Sequence, residues 1–197
     1  MTLFDHHATD QKSRVAPLAA RMRPRSLEEF VGQDHVVGHN TALRRALESG
    51  HLPSMILWGP PGSGKTTLAH LLTSMTSSHL ESISAVASGV ADLRRIVSEA
   101  GDRLGMHGGR TVLFVDEIHR FNKAQQDVIL PYVEDGTVAL VGATTENPSF
   151  EVVSPLLSRA TVYDLKPLTP EEVTGIVNSA LSDKERGLGG LRVELVP

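Results

Sequence analysis

The chain has 197 residues, of which 40% are hydrophobic, and its formal net charge is −4. This length suits one α/β domain with a small appendage, and the acidic balance argues against a surface that contacts nucleic acid everywhere. The absence of cysteine excludes disulfides, thiolate zinc sites and cysteine nucleophiles, and it fits a reducing cytoplasm. No apolar run approaches a membrane span and no signal peptide is visible, so we expect no membrane partner.

The first part of the chain changes character after residue 16. Residues 1–16 are polar, and we predict a flexible tail there. Residues 17–38 carry arginines on both sides of Pro24, followed by a predicted helical turn with Ser26 as its N-cap and Glu29 three residues on. Two interpretations of this segment stay open, an irregular stretch with one helical turn or a lid over a ligand. The arginines either contact phosphates or are solvated.

The next elements lead into a phosphate-binding motif. A short amphipathic helix is predicted over residues 40–50, because Leu43 and Leu47 stand one turn apart. Residues 54–58 predict a short buried strand, and residues 67–72 predict a helix. Between them lies the sequence GPPGSGKT, which fits the pattern G-x-x-x-x-G-K-[ST] of a P-loop.

This motif predicts nucleotide binding for physical reasons. Its glycines allow several backbone N–H groups to point at phosphate oxygens, and the start of the helix adds partial positive charge. Lys65 should reach the β- and γ-phosphates of ATP, and the Thr66 hydroxyl should ligate Mg²⁺. A chance match is about a one-in-a-hundred event for a chain of this length. The predicted binding residues are Gly59, Pro60, Pro61, Gly62, Ser63, Gly64, Lys65, Thr66 and Thr67.

Predicted strands and helices alternate along the rest of the chain. The strands cover residues 79–85, 111–115, 137–142 and 161–165, and the helices cover 91–104, 122–135, 152–158 and 171–181. This alternation predicts an α/β fold with a five-stranded parallel sheet and helices on both faces. In the helix over residues 122–135, Ala124, Val128 and Tyr132 recur at helical spacing and predict a shared face.

An acidic pair follows the strand over residues 111–115. That strand is apolar, as expected for burial on both faces, and its carboxyl end is where open α/β sheets hold ligands. There Asp116 should hold Mg²⁺ through water, and Glu117 should orient and deprotonate the attacking water. The alternative is a solvated acidic strand end, against which the preceding apolar run argues.

Two further residues are candidates for catalysis. Thr145 follows the strand over residues 137–142, where a hydroxyl can hold the attacking water, although Asn147 also signals an ordinary turn. Arg159 follows a short apolar stretch, and an arginine that neutralises the γ-phosphate is worth ~10³–10⁵ in rate in P-loop enzymes. Spacing alone does not separate this role from that of a surface arginine.

The order of these motifs resembles an AAA+ ATPase. Residues 17–24, 116–127 and 142–150 more closely resemble the family of the replication-associated recombination ATPase called RarA or MgsA, whose eukaryotic relative is the Werner-helicase-interacting protein. The run Phe-Asn-Lys-x-Gln-Gln-Asp, which begins at Phe121, is the most specific part. The resemblance covers nearly all of residues 17–197.

The resemblance implies an AAA+ nucleotide-binding core over residues 17–166 and the beginning of a truncated helical lid over 167–197. It also implies that a homo-oligomer hydrolyses ATP at subunit interfaces and acts on DNA forks, ends or gaps with replication and recombination proteins. This activity would be cytoplasmic and associated with the nucleoid. By position, Gln33 would lie near the adenine, Thr145 would be sensor 1, and Arg159 would reach the neighbouring subunit's ATP. Asp116 and Glu117 would form the Walker B pair.

Departures from the family keep other functions open. The family's second sensor arginine and C-terminal region have no counterpart here, so we expect that this chain alone binds ATP but turns it over poorly. A RuvB-like branch-migration helicase motor and a clamp-loader subunit are the nearest alternatives, although clamp loaders typically have cysteine where Ala160 stands. An ATP-binding switch or scaffold without turnover is the alternative of another class. The intact Lys65, Asp116 and Glu117 argue against it.

Overall fold

A computed structural model describes residues 16–86, 88–191 and 193 of the chain. The predicted flexible tail therefore lies outside the described residues, except for its last position. The described residues form two compact units. The first, which we call the sheet unit, comprises residues 32–167, and the second, which we call the terminal unit, comprises residues 16–31 together with those from 168 onward.

The sheet unit is built on five parallel strands. They are β1 (Met55–Trp58), β2 (His79–Ser84), β3 (Thr111–Asp116), β4 (Val138–Thr144) and β5 (Thr161–Asp164). Their order across the sheet is β2-β3-β4-β1-β5, and every neighbouring pair is parallel. The predicted five-stranded parallel sheet is therefore confirmed. β1 lies between β4 and β5, which is the kind of switch point where such sheets bind ligands.

Short and long helices precede, connect and follow these strands along the chain. The helices are α1 (Leu18–Arg21), α2 (Asp34–Val37), α3 (Ala42–Glu48), α4 (Lys65–Ser74), α5 (Val90–His107), α6 (Lys123–Glu134), α7 (Pro148–Glu151), α8 (Ser154–Leu157) and α9 (Pro170–Ser182). Thr41, Asn122 and Thr169 cap three of them by accepting a backbone N–H three residues on. No helix within the described ranges is long and apolar enough to cross a membrane.

The predicted helix is confirmed as α6, and its most buried face lies beside the one that Ala124, Val128 and Tyr132 share. Its buried residues are Gln125, Gln126, Ile129 and Val133. Ala124 is exposed, and Val128 and Tyr132 are partly buried against the core, so two of the four most buried residues are polar. The reason lies in hydrogen bonding: the Gln125 amide completes a capping box with Asn122, and both buried glutamines bond to backbone groups. Polar residues thus occupy positions that an apolar pattern does not reveal.

In the terminal unit, two successive turns replace the predicted capped helical turn. The N–H of Glu29 donates to the carbonyl of Ser26 at 3.2 Å. The carboxylate of Glu29, however, accepts the N–H of Arg25, one residue before the predicted N-cap Ser26. The same carboxylate lies 2.9 Å from the Arg186 guanidinium, which holds it there. Hydrogen bonds from Arg186 also lower the pKa of Asp183 to about 2.

A glycine in β4 makes room for the turn that follows β3. A Cβ atom on Gly142 would lie 2.8 Å from Cδ1 of Ile56 and 3.0 Å from Cδ1 of Ile118, and both isoleucines are fully buried. Ile118 belongs to the 3₁₀ turn Ile118–Arg120, which comes directly after Glu117. The packing of Ile118 against Gly142 therefore holds this turn on the sheet.

We expect Gly142→Ala to destabilise the protein by about 1–3 kcal/mol, because the added methyl group overpacks a filled core. The free energy of unfolding in urea measures this change. Gly101→Ala on α5 is the control, since a Cβ there meets nothing within 4 Å and alanine is the better helix former. Equal stability of the two variants would contradict tight packing of Ile118.

Candidate functional site

The loop between β1 and α4 brings the predicted phosphate-binding residues to the carboxyl edge of the sheet. Gly62 and Gly64 have φ angles of 79° and 92°, a region that side chains with a Cβ atom rarely adopt. Helix α4 begins at Lys65, directly after Gly64, so the positive end of its dipole faces the loop. Backbone geometry thus produces a concave surface suited to anions.

The start of this loop is held by close backbone contacts. A Cβ atom on Gly59 would clash with the carbonyl oxygen of Leu165. The N–H of Gly59 donates to the carbonyl of Thr144 at 3.2 Å, and the N–H of Leu165 donates to the carbonyl of Trp58 at 2.7 Å. The loop therefore starts at a defined place between the end of β4 and the chain after β5.

Lys65 donates hydrogen bonds to the loop, and the charge of Asp116 influences its pKa. Its Nζ donates to the carbonyls of Gly59 at 2.7 Å and Pro60 at 2.8 Å. Burial lowers the pKa of Lys65, and the negative charge of Asp116 opposes this shift. The charge of Asp116 at the end of β3 thus acts on the lysine of the P-loop.

The loop also contains a buried polar group. The Ser63 side chain is 1% exposed, and its hydroxyl has no hydrogen-bond partner among the described residues. Such groups are rare in folded proteins and commonly mark a functional site. Thr66 and Thr67 follow in the first turn of α4, where both are partly buried. These hydroxyls and the loop's backbone suit a polyphosphate and its metal ion.

Asp116 and Glu117 differ in orientation. Oδ1 of Asp116 accepts the N–H of Glu117 at 3.2 Å. Glu117 has a φ angle of 54°, a region that few residues other than glycine adopt. Its Oε2 lies 3.0 Å from Nε of Arg120, and both side chains are about half exposed. The carboxylate of Glu117 is therefore paired with Arg120, whereas that of Asp116 acts on Lys65.

The two threonines at the end of β4 have different environments. The Thr144 hydroxyl lies 3.1 Å from Nδ1 of His119 and accepts the N–H of Glu146 at 3.0 Å. Thr144 is buried, so these bonds connect the turn after β3 to the tip of β4. Thr145 is exposed. The role that the sequence assigns to Thr145, holding the attacking water, stays a prediction.

Gln33 contacts backbone on two sides. Its side chain is buried, with Nε2 donating to the carbonyls of Lys166 at 2.7 Å and Ser63 at 3.4 Å. Its Oε1 accepts the N–H of Lys166 at 3.0 Å. These bonds connect the P-loop to the chain after β5. The contact with adenine stays a prediction, and the amide already has protein partners.

Arg159 lies on the surface after α8. Its Nη1 donates to the carbonyl of Pro155 and to the Ser158 hydroxyl, each at 2.9 Å, and Nη2 lies 2.7 Å from Oε1 of Glu134. Within the part of the chain that the structure describes, these contacts include neither the P-loop nor Asp116. The structure therefore does not bring Arg159 to its own subunit's phosphate-binding loop.

Sequence reasoning missed several polar residues that hold this site together. They are His119, Thr144, Gln125 and Gln126. All four lie within residues 116–127 or 142–150, which carry the resemblance, but the sequence does not reveal their partners. For Gln125 and Gln126, the available signal was their place in the run that begins at Phe121.

A P-loop after β1, an acidic pair at the end of β3 and a polar tip on β4 define a P-loop nucleotide-binding protein of the AAA+ class. A family model described as the Holliday junction DNA helicase RuvB P-loop domain matches residues 22–162. The chain belongs to this family.

The chain is also similar to individual curated proteins, several of which share one name. Replication-associated recombination protein A of Escherichia coli (strain K12) is 54% identical over 179 residues, which are 91% of this chain and 40% of that protein. The protein of the same name from Coxiella burnetii is 56% identical, with the same coverage. ATPase WRNIP1 of Dictyostelium discoideum is 44% identical over 87% of this chain and 19% of its own length. The predicted resemblance is confirmed, and the chain spans 40% of the bacterial relatives' length.

A solved structure supports the same fold. The Thermotoga maritima RuvB Holliday junction branch migration motor is 37% identical, with a TM-score of 0.69. The match covers 82% of this chain and 54% of that one. The predicted P-loop fold is therefore confirmed.

We expect Asp116→Asn to lower the pKa of Lys65 further, because the aspartate charge opposes the effect of burial. NMR titration of the Lys65 ε-methylene measures this pKa. Asp127→Asn is the control, since it removes an exposed carboxylate that does not act on Lys65. An unchanged Lys65 pKa in Asp116→Asn would show that the charge of Asp116 does not act on this lysine.

Proposed function

We propose that the chain is the ATP-binding and ATP-hydrolysing part of an AAA+ ATPase that acts in DNA replication, recombination and repair. The observation that carries this proposal is that the P-loop, which follows β1, and Asp116, at the end of β3, lie at the same carboxyl edge of the parallel sheet. Phosphate binding and metal binding thereby meet at one edge of the sheet. The relatives named for replication-associated recombination support the biological setting.

The residues present fit ATP and Mg²⁺. The loop amides and the start of α4 would bind the phosphates, and Lys65 would exchange two neutral carbonyls for phosphate oxygens. The unpartnered Ser63 hydroxyl marks a loop made for a polar ligand. Thr66 and Asp116 would hold Mg²⁺, which needs few protein oxygens because it keeps waters and phosphate oxygens as ligands. The bound ion would neutralise charge that develops on the phosphates.

Hydrolysis requires a carboxylate that can reach water. Glu117 would serve as the base once its carboxylate leaves Arg120, and an exposed ion pair of this kind is worth only ~0–1 kcal/mol. The exposed Thr145 would hold the same water from the tip of β4. The His119–Thr144 contact would keep these two parts of the site in register.

Arg159 would complete the site of a neighbouring copy. It is exposed and held on its own subunit by Glu134, away from its own P-loop. An arginine so presented suits a homo-oligomer in which each ATP is shared by two subunits. We assign the oligomer to DNA forks, ends or gaps, with replication and recombination proteins as partners, in the cytoplasm at the nucleoid.

The proposed domains follow the same scheme. An AAA+ core over residues 17–166 would be followed by the beginning of a helical lid over 167–197. The boundary between the compact units at residue 168 supports the second limit. A branch-migration motor of the RuvB type is the second candidate function, supported by the family model and by the Thermotoga maritima structure. The higher identity to the recombination protein A relatives favours the first.

We expect Glu117→Gln to bind MgATP normally and to lose turnover by about 10²–10⁴-fold, as for loss of a general base. Lys65→Ala should weaken binding itself. Calorimetric titration and phosphate release measure the two effects. Glu146→Gln, at an exposed carboxylate beside the strand tip, is the matched control and should retain turnover. If the unaltered chain binds ATP but no variant changes a background rate, the switch interpretation replaces the enzyme.

We expect turnover per subunit to rise with protein concentration, and Arg159→Ala to abolish that rise. Mixing Arg159→Ala with Glu117→Gln should restore activity, because the first supplies an intact Glu117 and the second an intact Arg159. Random assembly would complete about a quarter of the interfaces. Phosphate release from the mixture measures this rescue. A mixture no more active than its components would count against shared sites.

A further inference from the structure

The most specific run of the resemblance contains a buried glutamine that the ATPase mechanism does not use. Gln126 is 2% exposed on α6. Its Nε2 donates to the carbonyls of Phe121 at 3.1 Å and Glu151 at 2.9 Å, and its Oε1 accepts the N–H of Val153 at 2.8 Å. Both amide protons and the carbonyl oxygen are thus engaged with backbone.

These partners lie on both sides of a junction between two short helices. Glu151 is the last residue of α7 and Val153 is the N-cap of α8, so we call residues 151–153 the α7–α8 junction. Arg159 follows α8 within two residues. We propose that Gln126 is a positioning residue for Arg159. This inference rests on the proposed role of Arg159 at the neighbouring subunit's ATP.

Apolar packing alone does not define where the junction lies. Val152 and Leu156 are buried in the same cluster as Ile129 and Val133 of α6. Such contacts are non-directional, so they allow small sliding movements. Hydrogen bonds have preferred distances and angles, and water does not compete with those made inside the protein. The Gln126 amide therefore sets the position of the junction, and the junction sets the start of α8.

Helix α6 contacts the arginine a second time. Oε1 of Glu134, at the last residue of α6, lies 2.7 Å from Nη2 of Arg159. That pair is about 40% exposed on each side, so it contributes little by itself. Gln126 is buried and bonds to the backbone of the α7–α8 junction. It therefore determines the position of Arg159 more strongly than Glu134 does.

Two variants test the role of Gln126 from opposite sides. Gln126→Ala removes the amide. Val153→Pro keeps the amide of Gln126 but removes the N–H donated to it, and the φ angle of −61° at Val153 suits proline. Gln125→Ala is the matched control: Gln125 is also buried on α6, but its amide binds Ser88 and Asn122. If one variant fails to fold, the other still decides.

Hydrogen exchange tests the bonds without any nucleotide. In Gln126→Ala, the Val153 amide should exchange at least about tenfold faster, because local opening no longer breaks a buried bond. In Val153→Pro, the amides of Leu156 and Leu157, which donate to the carbonyl of residue 153, should also exchange at least about tenfold faster. The control should leave these rates unchanged. Unchanged rates in the two test variants would overturn the inference.

Turnover tests the link to Arg159. Gln126→Ala should lower turnover by about 10²-fold, the effect of misplacing a catalytic group by an ångström, with unchanged affinity for MgATP. Adding Gln126→Ala to Arg159→Ala should lower turnover no further. Multiplied effects, or an equal loss in Gln125→Ala, would mean a merely structural role and would overturn the inference. If Arg159→Ala itself retains full turnover, the proposed function of Arg159 is wrong.

Discussion

The close approach of Gly59 to the carbonyl of Leu165 is the contact on which the rest of the site depends. At this point the P-loop leaves β1 between the end of β4 and the chain after β5. Because the strands are parallel, their carboxyl ends meet at the same edge. Lys65, Asp116 and Thr145 therefore come from distant positions in the chain to one edge of the sheet. The parallel pairing of the strands and the close approach at Gly59 thus account for the positions of these three residues.

Features that depend on local sequence were predictable. The apolar run of β3 and the glycine-rich loop carry their own signals, since burial on two faces demands apolar residues and a tight turn demands glycine. All five strands were expected, and the structure has them with small changes in their limits. The start of α6 is also local, because Oδ1 of Asn122 accepts the N–H of Gln125 three residues on.

Features that depend on distant partners were not predictable. The burial of Gln126 on α6 was missed because its amide is satisfied by backbone groups at Glu151 and Val153, which only the fold brings near. The same holds for His119, which lies in the turn after β3 and whose partner Thr144 lies at the end of β4. The pairing of Glu117 with Arg120 is local, but no periodic pattern distinguishes it from solvated charges. The limit of sequence reasoning here is polar contact between separate elements.

Helix α6 contacts residues 151–159 at two places, through Gln126 and through Glu134, and these two contacts constrain the length of the helix. Gln126 and Glu134 are eight residues apart, about 12 Å along a helix that rises 1.5 Å per residue. One inserted residue would turn Glu134 by about 100° about the helix axis and move it away from the guanidinium. The number of residues between the two contacts is therefore fixed, whereas exposed side chains of α6 other than Glu134 take no part in them. An insertion or deletion between Gln126 and Glu134 would separate one contact from the other.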